Sequence, residues 1–201
     1  MSADYLLHYP QRVEFSRTNE CLEAISAGLC VGATDRVFAI AGSGDQAFAL
    51  LEHAKSVTVV DADSKQIKYV RARIAALRKG DKRKFFWPSN QTDMKDRTVF
   101  SYFDEGTRLA DISKKIDSLE VLDPKDFLES LSSFSSGTFN KIYASNVVFD
   151  YLEDHRIGAC LPLGGMAYFT QGRDNEIDTL QDGSGRFAEE FSLTRRAREL
   201  A

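Results

Sequence analysis

The chain has 201 residues, 43% hydrophobic and 28% charged, the balance of a globular domain whose core needs no disulfide or metal staple. Its formal net charge of -4 excludes a whole-surface affinity for nucleic acid, so such a role would need a local patch. Cys21, Cys30 and Cys160 are odd in number and far apart, and His8, His53 and His155 are scattered singly, which speaks against a disulfide framework or a zinc site. The start lacks a basic segment followed by a long apolar run, and no later run approaches bilayer length, so a cytoplasmic protein is expected.

Residues 1 to 18 are polar and aromatic by turns, with Tyr5, Tyr9 and Phe15 near Arg12 and Arg17, and are expected to cover the ligand-bearing edge of a sheet. Asn19 is placed to cap a helix with Leu22, Ile25 and Leu29 on one face. The stretch from Arg36 to Asp63 then organises the rest. Arg36 to Ala41 reads as a strand, Gly42-Ser43-Gly44-Asp45 as a turn of small residues, and Gln46 to His53 as a helix. Val57 to Val60 reads as a second strand, ending at Asp61. Strand, glycine turn, helix, strand and acid is the order of a nucleotide site: the turn lets backbone approach a ligand, and the later carboxylate accepts ribose hydroxyls.

Ser64 to Lys79 has helical spacing, with Ile67, Val70, Ile74 and Leu77 facing inward and Lys65, Lys68, Arg71, Arg73 and Arg78 expected outward. Residues 80 to 118 break the pattern and read as an insertion. It opens on a basic cluster running into Phe85, Phe86, Trp87 and Pro88, expected to be a solvated helix end beside a buried element. Further strands are expected at Leu119 to Leu122, Lys141 to Ser145 and Met166 to Gln171. Helices are expected at Asp126 to Leu131, over most of Val147 to Leu161, and in the tail from Arg186. Alternating strands and helices predict a single α/β domain with a mostly parallel sheet.

The turn Gly42-Ser43-Gly44-Asp45-Gln46-Ala47 also fits the GxGxxA dinucleotide fingerprint, so NAD competes for the site. Asp45 inside the turn is expected to repel a pyrophosphate. The segment Phe139 to Val148 resembles the fourth-strand signature of class I S-adenosylmethionine-dependent methyltransferases, and Leu163-Gly164-Gly165 resembles their turn before strand five. That resemblance implies a Rossmann-like three-layer sandwich, shortened here at the C-terminal edge of the sheet. It also implies that Ala41, Gly42, Ser43, Gly44, Asp45 and Gln46 hold the methionine part and that Asp61 and Ala62 meet the ribose. Asp126 and Phe127 would meet the adenine, and Ser145 and Asn146 would line the reaction side. Asp45 would bind the ligand ammonium and Arg17 its carboxylate.

Ala39 stands where methyltransferases carry an acid, and Ala41 where they carry a glycine. In these features, and in Gly-Asp-amide-Ala at the helix start, the chain resembles the S-adenosylmethionine:diacylglycerol 3-amino-3-carboxypropyltransferases of betaine-lipid synthesis. The resemblance implies transfer of a methyl or an aminocarboxypropyl group to a small-molecule or lipid acceptor. Asp150, Tyr151, Tyr9 and Glu20 are the candidate bases for the incoming nucleophile. The short insertion favours an alternative, a non-catalytic S-adenosylmethionine-binding module.

Overall fold

The computed structural model describes residues 13–18, 20–86, 97–145 and 155–170. Five parallel strands, β1 (Arg36–Ile40), β2 (Ser56–Val60), β3 (Leu119–Val121), β4 (Lys141–Ser145) and β5 (Met166–Thr170), form one sheet in the order β3-β2-β1-β4-β5. Val37 lies between Val57 and Lys141, so β1 is central. The inner strands are continuous apolar runs because both faces of the sheet are covered. Alternate residues serve different cores: Val37, Ala39, Val57, Val59 and Tyr143 face one, and Phe38, Val60, Ile142 and Ala144 the other.

The first core is covered by α1 (Leu22–Gly28), α2 (Asp45–His53) and α3 (Ser64–Arg78). Three short helices, α4 (Lys82–Phe86), α5 (Arg97–Asp104) and α6 (Arg108–Lys114), join it. The second is covered by α7 (Phe127–Leu131) and α8 (His155–Cys160). The result is a three-layer α/β sandwich. The helix α1 starts after Cys21, which occupies its N-cap position without a side-chain bond; Asn19, the expected cap, lies outside the described residues. The described part of the 80–118 region carries α4, α5 and α6, and Phe85 and Phe86 are buried. Trp87, Pro88, residues 146–154, where the helix expected over most of Val147 to Leu161 was to begin, and everything after Thr170, including the expected shortened sheet edge and the tail helix, lie outside the described residues.

The fastenings at the two ends of the strands differ. At the starting end, Asn140 bonds the Asp35 carboxylate at 2.6 Å and accepts from the Arg36 amide at 2.8 Å. At the finishing end the connections after β1, β2 and β3 gather, and the site lies there.

Candidate functional site

The connection after β1 turns back at once, with Ala41 bonding the Val60 carbonyl at 2.8 Å and the Gly44 amide bonding the Ala41 carbonyl at 2.7 Å. Gly42 has φ 46° and Gly44 φ 86°, conformations that L side chains rarely adopt. The two glycines differ in surroundings. A Cβ on Gly44 would stand 3.0 Å from Val70 and 3.1 Å from Phe48, so α2 and α3 close on that atom. A Cβ on Gly42 would meet nothing within 4 Å, so the open side of the turn is at Gly42.

Asp61, at the end of β2, reaches that open side. Its Oδ2 accepts the Gly42 amide at 3.0 Å and its Oδ1 the Asp63 amide at 2.9 Å. Each carboxylate oxygen keeps acceptor capacity beyond one amide. Burial raises the Asp61 carboxyl above its ordinary pKa, against the pull of the two amides, and Asp63 and Glu14 add to the rise. Ala62 beside it is exposed.

The inner side of the turn holds a buried ion pair. Asp45 and Arg73 are both 0% exposed, with Arg73 Nη1 2.7 Å from Asp45 Oδ1. Asp45 Oδ2 accepts from the Ser43 hydroxyl at 2.8 Å and from the Thr18 amide at 2.9 Å. Arg73 also donates to the carbonyls of Ser43 at 2.7 Å and Phe85 at 3.1 Å, with Phe48 and Phe85 against its guanidinium. Burial alone would raise the Asp45 carboxyl, but Arg73, then Arg17 and the Thr18 amide, hold it below its ordinary value. Asp45, expected to bind the ligand ammonium, thus lies wholly buried as the inward anchor of the turn. Arg73, expected on the solvent face of α3, is its buried counter-charge.

Residues 13–18 lie across this arrangement as a strap, and residues 1–12 of the expected cover lie outside the described residues. Gln66 Nε2 donates to the carbonyls of Gly42 at 2.6 Å and Phe15 at 2.9 Å, and its Oε1 accepts the Phe15 amide at 3.3 Å. The Tyr69 hydroxyl donates to the Ser16 carbonyl at 2.9 Å. Gln46 Nε2 donates to the Thr18 hydroxyl and to Glu20 Oε2, each at 2.7 Å, and Tyr143 donates to the same Glu20 oxygen at 2.5 Å.

Other expected site residues fall in different places. Gln46 and Ser43 turn their side chains inward, so only their backbone borders the turn. Arg17, expected to meet the ligand carboxylate, donates to the Tyr69 hydroxyl at 3.3 Å and to the Ser16 carbonyl at 3.0 Å. Burial, then Arg73, lowers its pKa. Asp126 caps α7 by accepting the Glu129 amide at 3.0 Å. Phe127 is buried in the second core, its ring 5.1 Å from that of Phe38, so it does not line the open side. Ser145 ends β4 at the same sheet edge. Asn146, Asp150, Tyr151 and Tyr9 lie outside the described residues.

No protein-family model and no curated protein sequence matches the chain. Solved structures do. A precorrin 8W decarboxylase from Methanobacterium thermoautotrophicum superposes with a TM-score of 0.53 at 14% identity, over 88% of this chain and 78% of that one. The tRNA (m1A58) methyltransferase TrmI from Aquifex aeolicus gives 0.51 at 15% identity, over 89% of this chain but 56% of its own length. A methyltransferase from Thiobacillus denitrificans in complex with S-adenosyl-L-homocysteine gives 0.46 at 13% identity, over 79% and 50%. The chain has the class I methyltransferase fold. The comparisons lend no support to the narrower resemblance to the betaine-lipid enzymes. In the methyltransferase fold, Gly42 and Asp61 stand beside the switch point between β1 and β4, where the strand order reverses. Among the described residues no cluster of metal-ligating side chains occurs, and no helix is long and apolar enough to cross a membrane.

Proposed function

We propose that the chain is an S-adenosylmethionine-dependent transferase with its cofactor at the Gly42 side of the turn. The observation that carries this reading is the Asp61 carboxylate held against the Gly42 amide at 3.0 Å, at the switch edge of a 3-2-1-4-5 parallel sheet. Gly42 offers backbone with open space in front of it, and Asp61 offers acceptors for ribose hydroxyls. Bound there, S-adenosylmethionine would supply an electrophilic carbon on a sulfonium that leaves as a neutral thioether. The protein's task is then to hold donor and acceptor in line, which is positioning rather than acid–base work. The strap, the Asp45–Arg73 pair and Gln66 keep the turn in one geometry for that purpose. The carbon that faces the acceptor decides between methyl and 3-amino-3-carboxypropyl transfer.

Asp45 is internal and neutralised by Arg73, so it offers no repulsion to a pyrophosphate, and its removal would test the fold rather than the ligand. Calorimetry with S-adenosylmethionine, S-adenosylhomocysteine, methylthioadenosine and NAD side by side discriminates directly. Binding of S-adenosylhomocysteine is expected, weakened about tenfold to a hundredfold by Asp61→Asn through loss of a charged hydrogen-bond acceptor. Binding of NAD alone overturns the transferase reading.

A further inference from the structure

The solvent face of α3 carries only positive charge. Between Ser64 and Gly80 there is no acidic residue, and Lys65, Lys68, Arg71, Arg78 and Lys79 are all exposed. At 100° per residue they fall on one side of the helix, around the small exposed Ala75, and the row runs about 21 Å from Lys65 to Lys79. Past Gly80, α4 adds the exposed cations Lys82 and Arg83. Ordinary solvated helix faces mix the two signs. Residues 64–86 hold nine basic residues and one acid, a net of +8 that leaves -12 on the rest of the chain.

The neighbouring acids do not cancel the row. Arg71 pairs with Asp123 at 2.9 Å and Arg78 with Asp117 at 2.8 Å, but Asp123 and Asp117 are 91% and 87% exposed. Such surface pairs are weak enough to be exchanged for phosphate. Asp63 caps the start of α3, and Asp81 lies 3.7 Å from Lys84. Lys65, Lys68, Lys79, Lys82 and Arg83 make no ion pair among the described residues.

We infer that this ridge binds the phosphate backbone of a nucleic acid. A membrane-surface helix needs an apolar face to insert, whereas that of α3, with Ile67, Val70, Ile74 and Leu77, is buried in the core. The large exposed apolar side chains among the described residues, Phe15, Phe100 and Leu163, lie on neither α3 nor α4. A protein partner would want apolar anchors at the centre of its interface, and the ridge has none. A strand backbone, with one charge per about 3.4 Å of axis, matches a row of cations without such anchors. The ridge starts beside Asp61, so a bound strand is led toward the sheet edge on which the cofactor reading rests. The binding itself does not require that reading.

Fluorescence anisotropy with labelled single-stranded RNA, duplex RNA and duplex DNA, at low and at physiological salt and without cofactor, tests the inference. The unaltered chain is expected to bind at least one of them at low salt and to lose affinity as salt rises. Lys68→Ala/Lys79→Ala/Lys82→Ala/Arg83→Ala should weaken binding at least about tenfold and flatten the salt dependence by about one unit of slope for each phosphate no longer neutralised. Lys55→Ala/Lys114→Ala, which removes exposed charge elsewhere, should bind like the unaltered chain, and Lys68→Ala/Lys79→Ala, matched to it in charge, should not. No binding at low salt, or equal losses in these two double variants, overturns the proposal. So does ridge-dependent binding of anionic phospholipid vesicles in preference to every nucleic acid. Failure of cofactor binding in calorimetry would leave this result standing, and the converse holds.

Discussion

Asp45 takes a full negative charge into a wholly buried position, and Arg73 makes that tolerable. Desolvating two ions costs several kcal/mol, offset here by a 2.7 Å ion pair and by hydrogen bonds from Ser43 and Thr18. Arg73→Leu leaves the carboxylate without its counter-charge and is expected to lower stability by about 3 to 5 kcal/mol in urea unfolding. The double variant Asp45→Asn/Arg73→Leu should recover part of that loss. The two carboxylates of the site respond oppositely to acid. Because the Asp45 pKa is lowered, its contribution is present above the unfolded value and is lost as pH falls through the folded one. Asp61 is raised by burial, so the folded chain resists its ionisation and the charged form needed for ribose disappears first. Affinity for S-adenosylhomocysteine should therefore begin to fall above the ordinary carboxylate range as pH is lowered, while the Asp61→Asn variant shows no such fall in calorimetry. Asp61 was legible because strand length and glycine turn fix its register. The direction of Asp45 was not, since spacing locates a carboxylate without saying which way it points. Arg73 was misplaced by its charge, although its phase with Gln66, Val70 and Leu77 lies on the buried arc of α3.

At the level of elements, two helix ends make a controlled comparison. After α1, the Val31 amide bonds the Ser26 carbonyl at 3.1 Å and the Cys30 amide the Ala27 carbonyl at 3.0 Å. After α3, Asp81 bonds Ala76 and Gly80 bonds Leu77 in the same pattern, each at 2.9 Å. Both ends need a left-handed residue, and the chain supplies Gly80 at φ 67° in one and Cys30 at φ 48° in the other. Cys30 is exposed, so Cys30→Gly removes backbone strain without removing packing. It should stabilise by about 0.5 to 1 kcal/mol, and Gly80→Ala, whose Cβ would meet no atom within 4 Å, should destabilise by about 1 kcal/mol. Thermal unfolding of the two variants checks both signs. The end of α3 could be read from Gly80, and β4 from a buried run bounded by polar residues. The helices between residues 80 and 118 could not, because α4, α5 and α6 have five, eight and seven residues, too few turns to establish a period. They are held by aromatic contacts instead, with Phe85 5.0 Å from Phe48 and 5.4 Å from Phe103.

For the whole molecule, the alternation of strands and helices sufficed for the layers and the parallel sheet, because a crossover connection leaves few ways to pack. The distribution of charge was harder to read. The net of -4 hides one basic flank on an acidic body, and only the buried arc of α3 shows which cations share a face. The attachments of the strap were equally hidden, because those to Asp45, Gln66 and Tyr69 join residues 27 to 53 positions apart. Those attachments are almost all polar, and Phe15 leaves 41% of its surface to solvent. Lifting the strap would thus expose little apolar area, with a small heat-capacity change and little sensitivity to denaturant, while the sheet beneath stays assembled. Opening of the cover over the Gly42 turn is therefore expected in hydrogen exchange as a local event, separate from unfolding of the sheet.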